Sequence, residues 1–253
     1  MKQFVFHSIL AGTTCAIVTS AHAAFVTLAA TQSATIYSED TNAANGSGQY
    51  VLAGRTNQGY TRRSILRFDL SDLPEGAVLL SARVSLVVLQ GNGGVRPMSL
   101  HAATQQWTTG ASDPSGTESV GVAALLSDCT WNWSSSDGAL AGTAWNKAGG
   151  SFASIASATS STTVTGLQNW ESAALAADAQ AWLTNPTENF GWFLLGDEST
   201  VGTARRLDSA NAAAGGYLPT LELEYTLIPA PGALALLGCA GIMLAARRRT
   251  NRN

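Results

Sequence analysis

All 17 Asp and Glu of the 253 residues fall between residues 24 and 228, whereas five of the 14 Lys and Arg (Lys2, Arg247, Arg248, Arg249 and Arg252) lie outside that stretch. The central body therefore sits near −8, which argues against nucleic acid as a partner. Only Cys129 and His101 of the cysteines and histidines belong to the body, so it can form no internal disulfide and has a single imidazole for metal or acid–base chemistry.

The chain opens with Lys2, an apolar run from Phe4 to Val18, and then Ala21-His22-Ala23. Small residues at positions 21 and 23 are what a signal peptidase reads, so residues 1–23 are expected to be a signal peptide cut after Ala23. Cys15 lies within the run without the apolar residue that a lipoprotein site has at the position of Gly12. The body, residues 24–228, is long enough for one substantial core.

Along the body, short alternating segments are separated by turn residues, the pattern of an antiparallel sandwich. "TIYSE" and "QYVLAG" come first, then "RSILRFDL", in which Leu66, Phe68 and Leu70 share one face and Arg67 and Asp69 the other. Pro74-Glu75-Gly76 marks a turn before a strand with Ala82, Val84, Leu86 and Val88 on one face. Val87 and Leu89 on its other face predict cover on both sides. "MSLHAAT" follows, and "SFASIASATSS" from Ser151 to Ser161 reads as a low-complexity surface loop. "SAALAADAQAWLTNP" places Leu175, Asp178, Ala179, Trp182 and Leu183 at helical spacing with Pro186 beyond the end, which predicts one short helix with Trp182 turned inward. "GWFLLGDE" and "PTLELEYTL" are the last strands.

Several of these pieces, in this order, resemble the DNRLRE (disaggregatase-related) family: "ATIYSEDTN…GSGQYVLAGR", "RRSILRFDLSDLPEGAVLLSARVSLVV", "QQWTTG" with "CTWNW…GTAWNKAGGSF", "ADAQAWLTNPTENFGWFLLGDE" and "ARRLDSANAAAGGYLPTLELEYT". They span about Ala34 to Thr226, although Ala210-Asn211 stands where a Glu is more usual after "ARRLDS". The resemblance implies an all-β, jelly-roll-like antiparallel β-sandwich with a non-catalytic role, of a kind often attached to polysaccharide-degrading enzymes and in some relatives binding carbohydrate. Fold alone does not fix function.

The last 25 residues, "PAPGALALLGCAGIMLAARRRTNRN", resemble the PEP-CTERM sorting signal: a Pro motif (Pro229, Ala230, Pro231, Gly232), an apolar helix and a basic cluster (Arg247, Arg248, Arg249). Ala230 stands where the name-giving form has Glu. Gly232 to Ala246 is uncharged, and the stretch from Leu227 to Ala246 gives about 30 Å of helix, barely a membrane thickness. The arginines would stay cytoplasmic and the acidic body would lie outside. Hydropathy alone reads as a permanent single-span anchor. The resemblance implies instead transient retention in the inner membrane of a Gram-negative cell, processing by an exosortase, and delivery to the outer envelope or extracellular matrix.

All seven Trp lie in the body, and an aromatic face suits the apolar face of a sugar. Trp107, Trp131, Trp182 and Trp192 sit in patterned segments and are expected in the core, whereas Trp133, Trp145 and Trp170 in Gly/Ser/Asn-rich surroundings are candidates for a carbohydrate platform. The carboxylates of Glu39-Asp40, Asp197-Glu198 and Asp208 are hard oxygen donors that could hold a structural Ca²⁺, with Asp197, Glu198 and Asp208 favoured, though none shows the spacing of a calcium loop. Arg62, Arg63, Arg67, Arg205 and Arg206 outnumber the one body lysine, Lys147. Guanidinium groups suit carboxylates, either the protein's own or those of a uronic-acid polymer, provided they cluster against the negative body. No Gly-x-Ser-x-Gly occurs, and Ser99 and Ala103 beside His101 offer no acid–base set, so no catalytic residues are assigned.

The expectation is a non-catalytic carbohydrate-binding or adhesive matrix protein whose partners are signal peptidase and exosortase during export and polysaccharide afterwards. The alternatives are a purely structural surface protein and, after that, a polysaccharide-cleaving enzyme.

Overall fold

The computed structural model describes residues 22–116 and 118–227. The expected signal peptide up to Ala21, the Pro motif, the apolar segment and Arg247–Arg249 lie outside the described residues. No helix among the described residues is long and apolar enough to cross a membrane. Ala23–Thr226 form one compact unit.

Its elements in chain order are β1 (Ala23–Tyr37), β2 (Ala43–Asn45), β3 (Tyr50–Arg55), β4 (Thr61–Phe68), β5 (Ala77–Gly91), β6 (Arg96–Ala102), β7 (Val122–Ala123), β8 (Trp133–Ser136), β9 (Gly142–Ala144), β10 (Ala158–Thr162), β11 (Gly166–Glu171), α1 (Ala173–Thr184), β12 (Trp192–Leu195), β13 (Arg205–Asp208) and β14 (Thr220–Leu227). The structure is thus mostly antiparallel β-sheet with one short helix, consistent with an all-β sandwich.

Two strands serve both layers. β1 pairs with β14 from Ala23 to Ala29, shifts register between Ala30 and Gln32, and then pairs with β4 up to Tyr37. β3 forms a hairpin with β4 at Gly54 and Arg55, while its earlier residues pair with β13. The hydrogen-bonded path β4-β3-β13-β5-β14-β1 therefore returns to β4, with β12, β6 and β10 extending one layer and β11 flanking β5 in the other. Closing the path removes sheet edges that would otherwise offer unpaired backbone groups. Gly54 enables one corner: its φ is +115°, and a Cβ there would meet Thr203 O at 2.8 Å and Ala204 Cα at 2.9 Å.

The period-two reading places the main core correctly. Leu66 and Phe68 from β4, Val84, Leu86 and Val88 from β5, Met98 and Leu100 from β6, and Trp192 and Leu194 from β12 belong to one buried cluster. The helix covers an end of it with Leu175, Ala176, Ala179 and Trp182, and Ser172 caps it by accepting from Leu175 N at 3.0 Å. Asp178 shares that inward side because its Oδ2 accepts from Trp192 Nε1 at 2.8 Å.

Three expectations are corrected. Val87 and Leu89 of β5 are half-buried, not covered. The layer covered on both faces is the other one, where Ala34 and Ile36 of β1, Ile65 of β4 and Phe193 of β12 meet Ala103, Trp107, Cys129 and Trp145 from the long excursion after β6. The supposed loop at Ser151–Ser161 contains most of β10, which pairs with β6 from Ala158 to Thr162; its Ser and Thr residues suit a strand without the apolar alternation that announces one. Trp131, expected in the core, is half-buried with Arg63 4.9 Å from its ring centroid.

Candidate functional site

The three tryptophans expected to form a platform do not assemble one. Trp170 is wholly buried on β11 and donates from Nε1 to Met98 O at 2.9 Å. Trp145 is buried edge-on against Phe193, with ring centroids 5.5 Å apart, and donates to Thr130 O at 2.8 Å. Trp145 closes the excursion over the sheet and Trp170 packs in the main core, roles that composition does not distinguish from ligand contact. Trp133 is half-buried on the β8–β9 ribbon, opposite Ala144.

The carboxylates are also engaged within the fold. Glu198 receives Arg63 through two hydrogen bonds of 2.7 Å. Asp197 Oδ1 accepts from Ser199 N at 2.9 Å and Thr200 N at 3.2 Å, and the Ser199 hydroxyl foremost holds its carboxyl below the usual range. Asp208 is buried and accepts from Tyr217 N at 3.0 Å. Glu39 forms a two-pronged pair with Arg62, and Asp40 accepts from Asn42 N at 3.0 Å. Among the described residues no three His, Cys, Asp or Glu gather in one group. Asp197, Glu198 and Asp208 are thus each held by different donors of the protein itself.

The arginines do converge. Where the β3–β4 turn, the end of β5 and the start of β13 meet, a cleft of about 570 Å³ is lined by Arg55, Arg62, Arg205 and Arg206 with Glu39 as the one acid. Four of the body's nine basic residues thus share one depression on a protein near −8. Around them stand exposed amides, Asn57 and Gln58 from the turn, Gln90 at the end of β5 and Asn92 just after it, together with Tyr60, which is 45% exposed.

Each arginine is differently held. Arg62 is buried, paired to Glu39, and lies 4.8 Å from the Tyr37 ring centroid. Arg205 is buried and donates to Thr203 O at 3.1 Å, Thr163 O at 3.2 Å, and the carbonyls of Asn92 and Gly94, fastening the turn after β5 to β13. Burial first, and then nearby Arg96, lowers its affinity for the proton. Arg55 bonds Gly59 O at 2.9 Å and reaches Glu198 O only at 3.4 Å. Among the described residues Arg206 has no ion pair: its guanidinium lies 4.7 Å from the Tyr50 ring centroid, and its buried Nε has no hydrogen-bond partner there. That Nε is shielded from solvent, but the Arg206 guanidinium lines the cleft with no carboxylate partner among the described residues, which leaves its charge to an anion from outside. A smaller groove of about 410 Å³ beside Val87, Leu167 and Tyr217 has no charged lining.

Sequence reading singled out Arg62, Arg205 and Arg206 but missed Arg55, Tyr60 and the four amides. The one signal for Arg55, Asn57, Gln58 and Tyr60 was the turn sequence "RTNQGY", rich in hydrogen-bonding groups; Gln90 and Asn92 lie in "QGNGG", which reads only as a turn. His101 also differs from expectation: Nδ1 faces Ala153 O at 2.8 Å, which makes Nδ1 the donor, and Nε2 then accepts from Ser99 Oγ at 2.9 Å. The group orienting this pair is a carbonyl, not a carboxylate.

No family model matches the sequence, and no curated protein shows significant similarity to it.

Proposed function

We propose that the protein is an exported, non-catalytic carbohydrate-binding or adhesive module of the cell surface or exopolysaccharide matrix, and that its ligand enters the arginine cleft instead of stacking on loop tryptophans. The observation that carries this reading is the concentration of Arg55, Arg62, Arg205 and Arg206 beside exposed amides and Tyr60 on an otherwise acidic body. Amide and guanidinium donors read hydroxyls and carboxylates, and a locally positive cleft draws a polyanion that the rest of the surface repels. Carboxylated sugars fit best, since Arg206 lines the cleft as a cation with no carboxylate partner among the described residues.

The DNRLRE resemblance supports a jelly-roll-like arrangement of the strands, and the PEP-CTERM resemblance supports export, brief inner-membrane retention and exosortase processing. Binding of polygalacturonate to the wild type and to Arg206→Ala, followed by calorimetry at two salt concentrations, tests the cleft. Equal affinity in both proteins removes it, and a blank result across neutral and acidic glycans favours a purely structural matrix protein. Intact mass of the natural product tests the export reading; both ends retained would overturn it.

A further inference from the structure

The turn that Arg205 fastens contains Asn92-Gly93, and the chain has one other Asn-Gly pair, Asn45-Gly46. The two are held in opposite ways. Asn45 is buried, donates from Nδ2 to Tyr50 O at 2.9 Å and Glu118 Oε2 at 2.8 Å, and accepts from Gly48 N at 3.0 Å. Gly46 N is tied to Ser112 O at 3.1 Å. Asn92 is exposed, and neither its side-chain amide nor the Gly93 N–H has a hydrogen-bond partner among the described residues. Gly93 has φ +77°, and with no side chain it leaves its own nitrogen unhindered.

We infer that Asn92-Gly93 is a site of spontaneous deamidation that weakens the cleft for anionic ligands. The Gly93 nitrogen, losing its proton to base, attacks the Asn92 side-chain carbonyl carbon. A C–N bond forms, the C–NH₂ bond breaks, and ammonia leaves with a proton from water. Water then opens the five-membered succinimide at either carbonyl, giving aspartate or isoaspartate. The net change is amide plus water to acid plus ammonia, so no oxidant, reductant or enzyme is needed.

The product adds one negative charge to the cleft wall that Arg205 and Arg206 share. In the isoaspartate form the chain runs through the former side-chain carbonyl, so the main-chain carbonyl that Arg205 grips becomes the free carboxylate itself. Gly46 N and the Asn45 side chain have no such freedom, so the folded protein should age at one Asn-Gly and spare the other.

This consequence for binding rests on the cleft reading, whereas the chemistry at Asn92 does not. The full protein is incubated at mildly alkaline pH, folded or in denaturing urea, and the two sites are compared by peptide mass mapping. Conversion at Asn92 with Asn45 retained, and loss of that selectivity in urea, is the expected result. An intact Asn92, or equal conversion of both sites in the folded protein, overturns the inference. Asn92→Asp should bind polygalacturonate roughly tenfold more weakly than Asn92→Gln at low salt. Equal binding of these two variants while Arg206→Ala loses binding refutes the charge effect. If Arg206→Ala also binds normally, the cleft reading fails and the modification site stands on its mass data.

Discussion

The Arg206 guanidinium lies over the Tyr50 ring, 4.7 Å from its centroid, one strand across from where it leaves β13. That contact fixes a long side chain that has no acidic partner. Tyr50→Leu should leave the fold intact, since Tyr50 is half-buried at the start of β3, but remove about 0.5–1 kcal/mol of orientation from Arg206. Affinity for a carboxylated glycan should then fall a few-fold, with Tyr50→Phe retaining most of it. Calorimetric titration of the three proteins decides this, and equal loss in Leu and Phe would rule out the ring face as the cause.

Asp178 anchors the helix by accepting from Trp192 Nε1 at 2.8 Å and from the Ser157 hydroxyl. Removing it in Asp178→Ala strands a buried indole donor, at a cost of about 1–3 kcal/mol. Asp178→Asn keeps an acceptor and should cost less. Because Trp182 and Trp192 have centroids 4.3 Å apart, tryptophan fluorescence during urea unfolding reports this site directly. A midpoint for Ala no lower than for Asn would contradict the assignment.

Glu118 is buried in the left-handed region at φ +56°, yet its carboxylate accepts from Gln49 N at 2.6 Å, Tyr50 N at 2.9 Å and Asn45 Nδ2 at 2.8 Å. Two effects oppose each other in Glu118→Gly. Relief of backbone strain returns about 1 kcal/mol, while loss of hydrogen bonds to a charged group removes about 1.5–3 kcal/mol and leaves donors unpaired. The variant should therefore be destabilised, and thermal denaturation showing it more stable than the wild type would reverse that ranking.

Burial raises the carboxyl of Asp128 above its usual range, against hydrogen bonds from Leu125 N and Ser112 N that pull the other way. The sign follows from a folded value above the unfolded one. Below about pH 4 both states are protonated and the group is neutral to stability; as pH rises, the unfolded chain ionises first and stability is lost until the folded group ionises too. Asp128→Asn should remove this decline, read as the difference in urea midpoint across that window. A parallel pH profile in both proteins would exclude the site.

Next to it, Cys129 is buried, and burial followed by the charge of Asp128 pushes its thiol far above the usual range. In the isolated body, where it is the single cysteine, iodoacetamide should leave it untouched at neutral pH and label it at once in urea. Rapid labelling of the folded body would show that the excursion after β6 opens readily.

Alternation of polar and apolar residues made the main core legible: Leu66, Phe68, Val84 and Leu86 fall where period two places them. The helix was legible as well, from Leu175, Ala179 and Trp182. The second core was not, because Ile65 and Phe193 meet partners such as Trp107 and Trp145 far along the chain, from a stretch whose only regular elements are the short β7, β8 and β9. The same blindness affected the site. Trp170 and Arg206 both belong to strands, and only their pairing shows that one indole is sealed behind Met98 and one guanidinium is open to the cleft.

Ala23 pairs with Thr226 at the outer end of the β1–β14 ladder, so the body begins and finishes side by side. Pulling those two points in opposite directions would load the ladder bonds one after another, as a zipper is opened, and not all together as in shear. On the adhesive function proposed above, a domain tethered through a single end would avoid that weak axis, and traction would pass from the tether to the ligand through the packed layers.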